Sequence, residues 1–387
     1  MSALIRLLSV LTLAVCLAAC GLFGGDEAEE DSPLELIDFE VSLEVDELWS
    51  TSAGDGIDRR SPNLQPFYTN GQIWVADHKG RVFAIDAASG ERRTEFDLDM
   101  DLSAGPAVYG DRLILGTFEG QLLMVDARSG TIEWRAQLSS EILAEPVLAD
   151  GMVIVRCIDG RVFGIDADSG SRQWVYDRSI PLLTLRGNGA PLARGGQVFL
   201  GYDDGSVVAL QVTDGTLLWE ARVSVGEGRS QLDRLADIDG SLAVVGRDLY
   251  AVTRHGRMAS LALDSGRIQW VKDVTSHSGL SISRTQLGAT DIDDSVWIVD
   301  LQSGDTIWRN EDLLRRELTQ PVPMGDQWVV ADGDGYLHWL DAETGRFSAR
   351  TQASSKRPAG PPLVIGNTLY LLDRDGRLSA WQTSRIN

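Results

Sequence analysis

Runs of four to six apolar residues return along almost the whole chain, each closed by a polar pair such as Asp-Gly or Ser-Gly. Val82-Phe-Ala-Ile85, Leu122-Leu-Met-Val125 and Val162-Phe-Gly-Ile165 are three of them. The three-to-four-residue periodicity of an amphipathic helix does not interrupt this pattern, so the body is expected to consist of short strands and tight hairpins. The runs belong to a longer phrase. Gly80, Asp86 and Gly90 keep the same spacing as Gly120, Asp126 and Gly130, and as Gly160, Asp166 and Gly170. The phrase recurs eight times, with leading positions 80, 120, 160, 205, 256, 294, 335 and 376, mostly about forty residues apart.

The fourth copy shows what one phrase encodes. Ala190–Ala193, Gln197–Tyr202, Ser206–Leu210 and Thr216–Trp219 read as four strands, separated by turns at Asp203-Asp-Gly205 and Thr213-Asp-Gly215. The glycines supply the left-handed backbone that tight hairpins need. Four antiparallel strands per forty residues make the blade of a β-propeller, in which radial packing covers both faces of each sheet. The expected fold is all-β: an eight-bladed β-propeller of four-stranded antiparallel blades. The eighth copy stops after its third strand at Trp381, and Asp46-Glu-Leu-Trp49-Ser50 resembles the missing fourth strand. An N-terminal strand is therefore expected to complete the last blade and close the ring.

A Gly-x-x-x-Trp element places Trp134, Trp174, Trp219, Trp270 and Trp308 at one position of the repeat, and Trp49 falls at the same position in the closing strand. Copies one and seven have Thr94 and Ala349 there. An indole repeated in so many copies is expected to wedge between blades with its N–H satisfied, not to line a ligand cage. The repeated Asp86, Asp126, Asp166, Asp300 and Asp341 each open a turn towards a glycine. They are expected to cap backbone N–H groups, and not to form a row of catalytic acids.

Composition and the first residues add a location. The net charge of −22 argues against a nucleic-acid partner, which would need a basic footprint. Arg6 followed by the apolar 7–17 stretch has the form of a signal peptide, too short to cross a bilayer comfortably. Leu17-Ala-Ala-Cys20-Gly21 resembles a bacterial lipobox, which implies lipidation of Cys20; Gly21 after the cysteine, in place of Asp, implies residence at the outer membrane. The acidic run 26–31 reads as solvated. The expected organisation is a leader over 1–19, a lipidated Cys20 with a flexible acidic tether over 20–46, and the propeller over 47–387. Cys157 is the only cysteine of the body and lies in a strand, so a buried thiol is expected and no internal disulfide.

Little in the sequence points to catalysis. The four histidines, His78, His255, His277 and His338, show no metal-ligand spacing, and no nucleophile elbow, P-loop or zinc-protease motif occurs. The repeat resembles the quinoprotein blade, but a quinone-dependent dehydrogenase would also need a calcium site, a catalytic Asp and usually adjacent cysteines, and no vicinal cysteine pair is present. No cofactor is expected.

Two inter-blade connections break the repeat: 177–187, and 226–240, which accounts for the longest spacing. Both join the last strand of one blade to the first of the next, so they are expected on one face at neighbouring junctions. Together they gather Leu183, Leu185, Arg186, Asp237 and Asp239. Two readings fit those residues: a protein interface with apolar and Arg anchors inside a charged rim, or core leucines beside an intramolecular Arg186 ion pair.

The lipobox, the acidic tether, Trp49-Ser-Thr51, Leu183-Thr-Leu-Arg-Gly187, Asp233-Arg-Leu-Ala-Asp-Ile-Asp239 and Asp312-Leu-Leu-Arg-Arg-Glu-Leu-Thr319 resemble the BamB family of outer-membrane assembly factors over nearly the whole chain. The tether is longer and more acidic than the family pattern. The resemblance implies a non-catalytic lipoprotein on the periplasmic face of the outer membrane, within the β-barrel assembly (BAM) complex. It implies binding to the POTRA domains of BamA through Leu183, Leu185, Arg186, Asp237 and Asp239. Unfolded outer-membrane proteins are a further implied partner, with β-augmentation as one route. The rival readings are a generic envelope propeller with another partner, and a pyrroloquinoline quinone (PQQ)-dependent dehydrogenase.

Overall fold

Each copy of the repeat folds as one antiparallel sheet, and eight such sheets follow one another around a closed ring. The structure is a computed structural model, and it describes residues 32–57, 63–178, 189–224, 238, 240–254, 256–276 and 278–386. The blades span 67–97, 102–137, 147–176, 192–222, 243–272, 281–310, 322–352 and 363–385. In the fourth blade the strands are Leu192–Arg194, Gln197–Gly201, Ser206–Gln211 and Leu217–Arg222. The last runs three residues beyond the expected end at Trp219, because its pairing continues to Ser206 opposite Arg222. A short strand, Asn63–Leu64, adds a parallel fifth member to the second blade, which no sequence pattern announced.

The ring closes as expected. Leu43–Ser52 pairs antiparallel with Arg377–Arg385 and supplies the outer strand of the eighth blade. Trp49 stands opposite Ala380 just after a bulge. Trp174, Trp219, Trp270 and Trp308 occupy the same register, opposite Gly164, Ala209, Ser260 and Ile298. Each indole reaches into the next blade and donates its N–H to a backbone carbonyl there: Trp49 to Ala87 (3.2 Å), Trp134 to Ala167 (3.0 Å), Trp174 to Val212 (2.9 Å), Trp219 to Leu263 (3.1 Å), Trp270 to Leu301 (3.2 Å) and Trp308 to Ala342 (3.0 Å).

The turn glycine of the receiving blade is the floor of this contact. A Cβ on Gly215 would sit 2.6 Å from the Trp174 ring, and the backbone there has φ +70°. Glycine is thus required twice over, for its backbone and for its missing side chain. Where the tryptophan is absent, another aromatic replaces it. Phe96 lies under Gly130 at the junction after the first blade, and Trp339 and Trp381 fill the core between the seventh and eighth blades. The remaining core is likewise built between blades: Phe199, Val207 and Ala209 of the fourth pack with Leu249, Ala251 and Ala259 of the fifth.

The recurring aspartates cap turns. The Asp86 carboxylate accepts from the N–H groups of Ala88 and Ser89, and Asp126, Asp166, Asp300 and Asp341 make corresponding contacts. Hydrogen bonds from Ser89 hold the Asp86 carboxyl below its usual range, and Ser129 and Ser169 do the same for Asp126 and Asp166. Cys157 is buried.

The ordered part of the ring reaches further towards the N-terminus than residue 47. Of the flexible tether expected over 20–46, residues 43–46 belong to the closing strand, Leu43–Ser52, and the described residues from Ser32 onward are fastened to the ring. Arg315 Nε donates to the Ser32 carbonyl (2.7 Å), Arg316 Nη1 to Leu34 (3.0 Å) and Arg350 Nη1 to Ile37 (2.9 Å). Phe39 stacks on Phe347 at 5.2 Å between centroids, and the Ser42 N–H donates to the Ser348 carbonyl (2.9 Å). Residues 32–34 therefore lie against the connection at 314–316, and residues 37–42 against the outer strand of the seventh blade, Phe347–Gln352. Apolar Leu36 and Phe39 pack against the core there, which a solvated acidic linker would not do.

Candidate partner-binding face

Antiparallel order puts all inter-blade connections on one face of the ring, together with the turns between second and third strands. We call this the connection face. Six of those turns are capped by an Asp or Thr at the end of the second strand: Asp77, Thr117, Thr253, Asp291, Asp332 and Asp373 each accept from backbone N–H groups of the following turn. The third and fourth blades depart from this. They carry Cys157 and Tyr202 at that position, and Arg156 stands where other copies have a small or apolar residue.

Arg156 and Tyr202 form one cluster. The Arg156 guanidinium is fully buried, pairs with Asp203 (3.3 Å) and lies 4.6 Å from the Tyr202 ring centre. Arg178 also lies over that ring, at 4.7 Å, and pairs with Asp204 (2.6 Å) and Glu220 (2.9 Å). Cation–π and ion-pair contacts of this kind reinforce one another where water is excluded. Burial pushes the Tyr202 phenol and the Asp203 carboxyl up. Burial acts on Asp204 in the same sense, but its hydrogen bonds with Ser206 and the nearby Arg178 outweigh it and hold that carboxyl low.

Both unusual connections are rooted in this cluster. Arg178 immediately precedes residues 179–188. Ile238 lies between Asp237 and Asp239; it is buried, donates its N–H to the Tyr202 carbonyl (3.3 Å) and packs on Gly201 so closely that a Cβ there would meet it at 2.4 Å. The roots of the two connections thus meet at one turn, 202–205, although about fifty residues separate them. Leu183, Leu185, Arg186, Asp237 and Asp239 themselves lie outside the described residues, as do Cys20, His255 and His277.

Tyr202, Arg156 and Arg178 were missed by sequence reasoning. The signal was there, since Tyr202 replaces a turn-capping Asp or Thr and Arg156 replaces a small residue, but a comparison of spacings alone passes over it.

At the centre of the connection face a cavity of about 360 Å³ opens into the ring. Gln65, Glu145, Gly189, Gly240, Glu317 and Arg357 are among its walls. Among the described residues no three His, Cys, Asp or Glu side chains cluster as a metal ion would require. His338, the one buried histidine described, serves the structure: its Nδ1 accepts from Arg350 (3.1 Å), so its Nε2 carries the proton and donates to Asp332 (3.0 Å).

The ring of eight four-stranded blades defines the class as a β-propeller, with one face rebuilt around the Tyr202 turn. The family profile described as "Outer membrane protein assembly factor BamB" matches residues 78–310 and 303–385. An outer membrane protein assembly factor BamB from Pseudomonas aeruginosa is 44% identical over 373 residues, covering 96% of this chain and 97% of its own length. The crystal structure of BamB from Moraxella catarrhalis superposes with a TM-score of 0.80 at 28% identity, covering 87% of this chain and 99% of that one. The chain belongs to the BamB family of outer membrane protein assembly factors. A quinohemoprotein alcohol dehydrogenase from Comamonas testosteroni, with a TM-score of 0.67 at 14% identity over 87% of this chain and 76% of that one, shares the fold alone.

Proposed function

We propose that this protein is a non-catalytic, lipid-anchored subunit of the outer-membrane β-barrel assembly machinery, held on the periplasmic face by Cys20. It docks on the POTRA domains of BamA through its connection face. The observation that carries this reading is the convergence of both unusual connections on the Tyr202 turn. Two arginines and three acids are spent there on rooting two loops that the repeat itself does not need. A rigid root lets an exposed loop keep one shape, which lowers the entropy lost on binding. Leu183, Leu185 and Arg186 supply the anchors and Asp237 and Asp239 the charged rim.

Co-purification from the native envelope tests this. A BamA-type barrel protein is expected with the wild type and is expected to be lost, or reduced at least tenfold, with Arg186→Glu, since reversing a central charge costs roughly 2–5 kcal/mol. Circular dichroism of the variant should match the wild type. Recovery of the barrel protein in equal amounts would remove Arg186 from the interface, and its absence from the wild-type sample would remove the assembly role.

The outer strands of the blades offer a route for substrates. Val175, Leu217, Leu218, Ile268, Val271 and Ile307 lie exposed on the outer strands of the third to sixth blades, each the edge of its sheet. Unfolded outer-membrane proteins would pair with these edges by β-augmentation. On the seventh blade the protein's own 37–42 segment already covers the corresponding edge. Unfolded barrel protein is expected to bind the isolated propeller under conditions where the partner binds, and lack of any such affinity ends this route.

A further inference from the structure

We propose that residues 32–42 form a strap whose grip on the seventh blade is switched by His338: fastened while its imidazole is neutral, and released at its middle when the imidazole takes up a proton. The ends of the strap are held by backbone hydrogen bonds, from the Leu34 N–H to the Leu314 carbonyl (3.0 Å) and from the Ser42 N–H to the Ser348 carbonyl (2.9 Å). Between them the polar fastener is Arg350. Its Nη1 donates to the Ile37 carbonyl (2.9 Å), and its guanidinium lies 5.0 Å from the ring centres of both Phe39 and Phe347. The same guanidinium donates through Nε to His338 Nδ1 (3.1 Å). On its other side that imidazole gives its Nε2 proton to Asp332 (3.0 Å). His338 is fully buried, so the two hydrogen bonds stand in place of water on both ring nitrogens.

The imidazole nitrogen that accepts a hydrogen bond is the one that takes up the next proton. Once Nδ1 carries a proton it has no lone pair for Arg350, and one N–H faces another. The bond to Asp332 survives and strengthens, because both partners are then charged. The break therefore falls on the Arg350 side. The groups around the ring push the same way. Asp332 directly follows the second strand of the blade, Gln327–Ala331, and Arg316 reaches it from the preceding connection at 2.8 Å. Tyr336 of His338's own strand and Phe347 of the outer strand lie 6.2 and 6.0 Å away between ring centres, and Asp38 of the strap acts on Arg350. Burial and the nearby Arg316 already count against the charge on Arg350, and an imidazolium adds to that. Its Nη2 is buried without a hydrogen-bond partner among the described residues. Arg316 is locked between Asp332 and Asp334, whereas Arg350 is half-buried at the edge of the blade and can swing into water. Doing so, it leaves the Ile37 carbonyl and the face of Phe39 together.

The sign follows from the hydrogen bond. The fastened strap needs the neutral ring, so the imidazole is harder to protonate when the strap is fastened than when it is released, and acid favours release. Burial holds the His338 imidazole below its ordinary value, which places the switch below about pH 6.5. Burial would raise the Asp332 carboxyl, but its hydrogen bonds with His338, Tyr336 and Arg316 outweigh burial and hold it low, so it stays ionised while His338 titrates. Cys20 precedes the strap, so release lengthens the chain between that residue and the ring. Where Cys20 carries a lipid, the ring stands further from the membrane in acid; only that consequence depends on the anchor.

The test uses the mature full-length chain with 4-fluorophenylalanine at position 39, whose fluorine resonance reports the strap, while imidazole nitrogen resonances report His338. Between about pH 7.5 and about pH 4.5 the ratio of released to fastened signal is expected to rise about tenfold, with the same midpoint as the His338 titration and with constant far-UV circular dichroism. His338→Gln keeps a donor for Asp332 and an acceptor for Arg350 but cannot titrate, so its strap should stay fastened throughout. Arg350→Gln should show the released signal at every pH. A fluorine signal that stays fixed while His338 titrates overturns the proposal, as does one that moves with an unchanged midpoint in His338→Gln. A fastened strap in Arg350→Gln, or loss of the ring's fold before the strap moves, overturns it equally. Should His338→Gln fail to fold, agreement or disagreement of the two wild-type midpoints decides.

Discussion

Trp219→Ala is expected to lower the stability of the ring by about 3–5 kcal/mol, the range for truncating a buried aromatic side chain. The indole is only 8% exposed. It lies 5.8 Å from Phe199 between ring centres, packs on the turn at Gly266, and holds the Leu263 carbonyl of the next blade. The substitution therefore leaves a cavity between two blades and an orphaned acceptor at once. Because each blade is covered only by its neighbours, a loose junction opens the ring, and chemical denaturation should show one cooperative transition shifted to lower denaturant. Leu217→Ala, two residues away on an exposed position, is the control and should stay within roughly 0.5 kcal/mol of wild type. Equal stability of Trp219→Ala and wild type would show that the indoles decorate the junctions without holding them.

Asp332→Ala should cost a similar amount, about 3–5 kcal/mol, for a different reason. The Asp332 carboxylate is fully buried and satisfies four donors: Arg316 Nε at 2.8 Å, His338 Nε2 at 3.0 Å, and the N–H groups of Asp334 and Tyr336 at 3.0 and 2.9 Å. Burial alone would raise its carboxyl, but these bonds override burial and hold it below the usual range. Removing it takes away the buried partner of Arg316, only 7% exposed, and leaves that charge with the more exposed Asp334 alone (2.8 Å). Arg316 and Arg350 also clamp the 32–42 segment, so the variant should gain a protease-sensitive site within 32–42 at temperatures where the ring is still folded. An unchanged digestion pattern would mean that Phe39 and Leu36 hold the segment without the arginines.

The same network makes a statement about pH. Burial depresses the His338 imidazole below its ordinary value, against the raising effect of Asp332. The unfolded chain takes up a proton near pH 6.5 that the native state refuses, so this residue's contribution to stability is complete above that pH and declines as pH falls through the window below it. Imidazole nitrogen resonances of folded protein should accordingly report a neutral, Nε2-protonated ring at about pH 6.

How much of this was legible beforehand follows from what each feature depends on. The blades, the indole wedges, the aspartate caps and the closing strand were readable because each depends on residues a few positions apart and is repeated many times. A hairpin needs its glycine at a set offset from its strand, and copies of that offset along the chain confirm one another. Trp49 could be matched to Trp134 without knowledge of any contact it makes.

Features that occur once had no second copy to confirm them. The fastening of residues 32–42 to the seventh blade looked like acidic linker, because its partners, Arg315, Arg316 and Arg350, lie some three hundred residues away. Tyr202 and Arg156 were visible as departures from the repeat, but their meaning depended on Arg178 and Ile238 meeting at the same turn.

The sequence by itself determined the kind of ring, its number of blades and how it shuts, since these are sums of local geometry repeated with a fixed period. Only the tertiary structure decided which side chains face one another across the connection face, as Arg156 and Arg178 do on the two sides of the Tyr202 ring. Burial and pairing are properties of the space between distant segments, and that space exists only once the ring has closed.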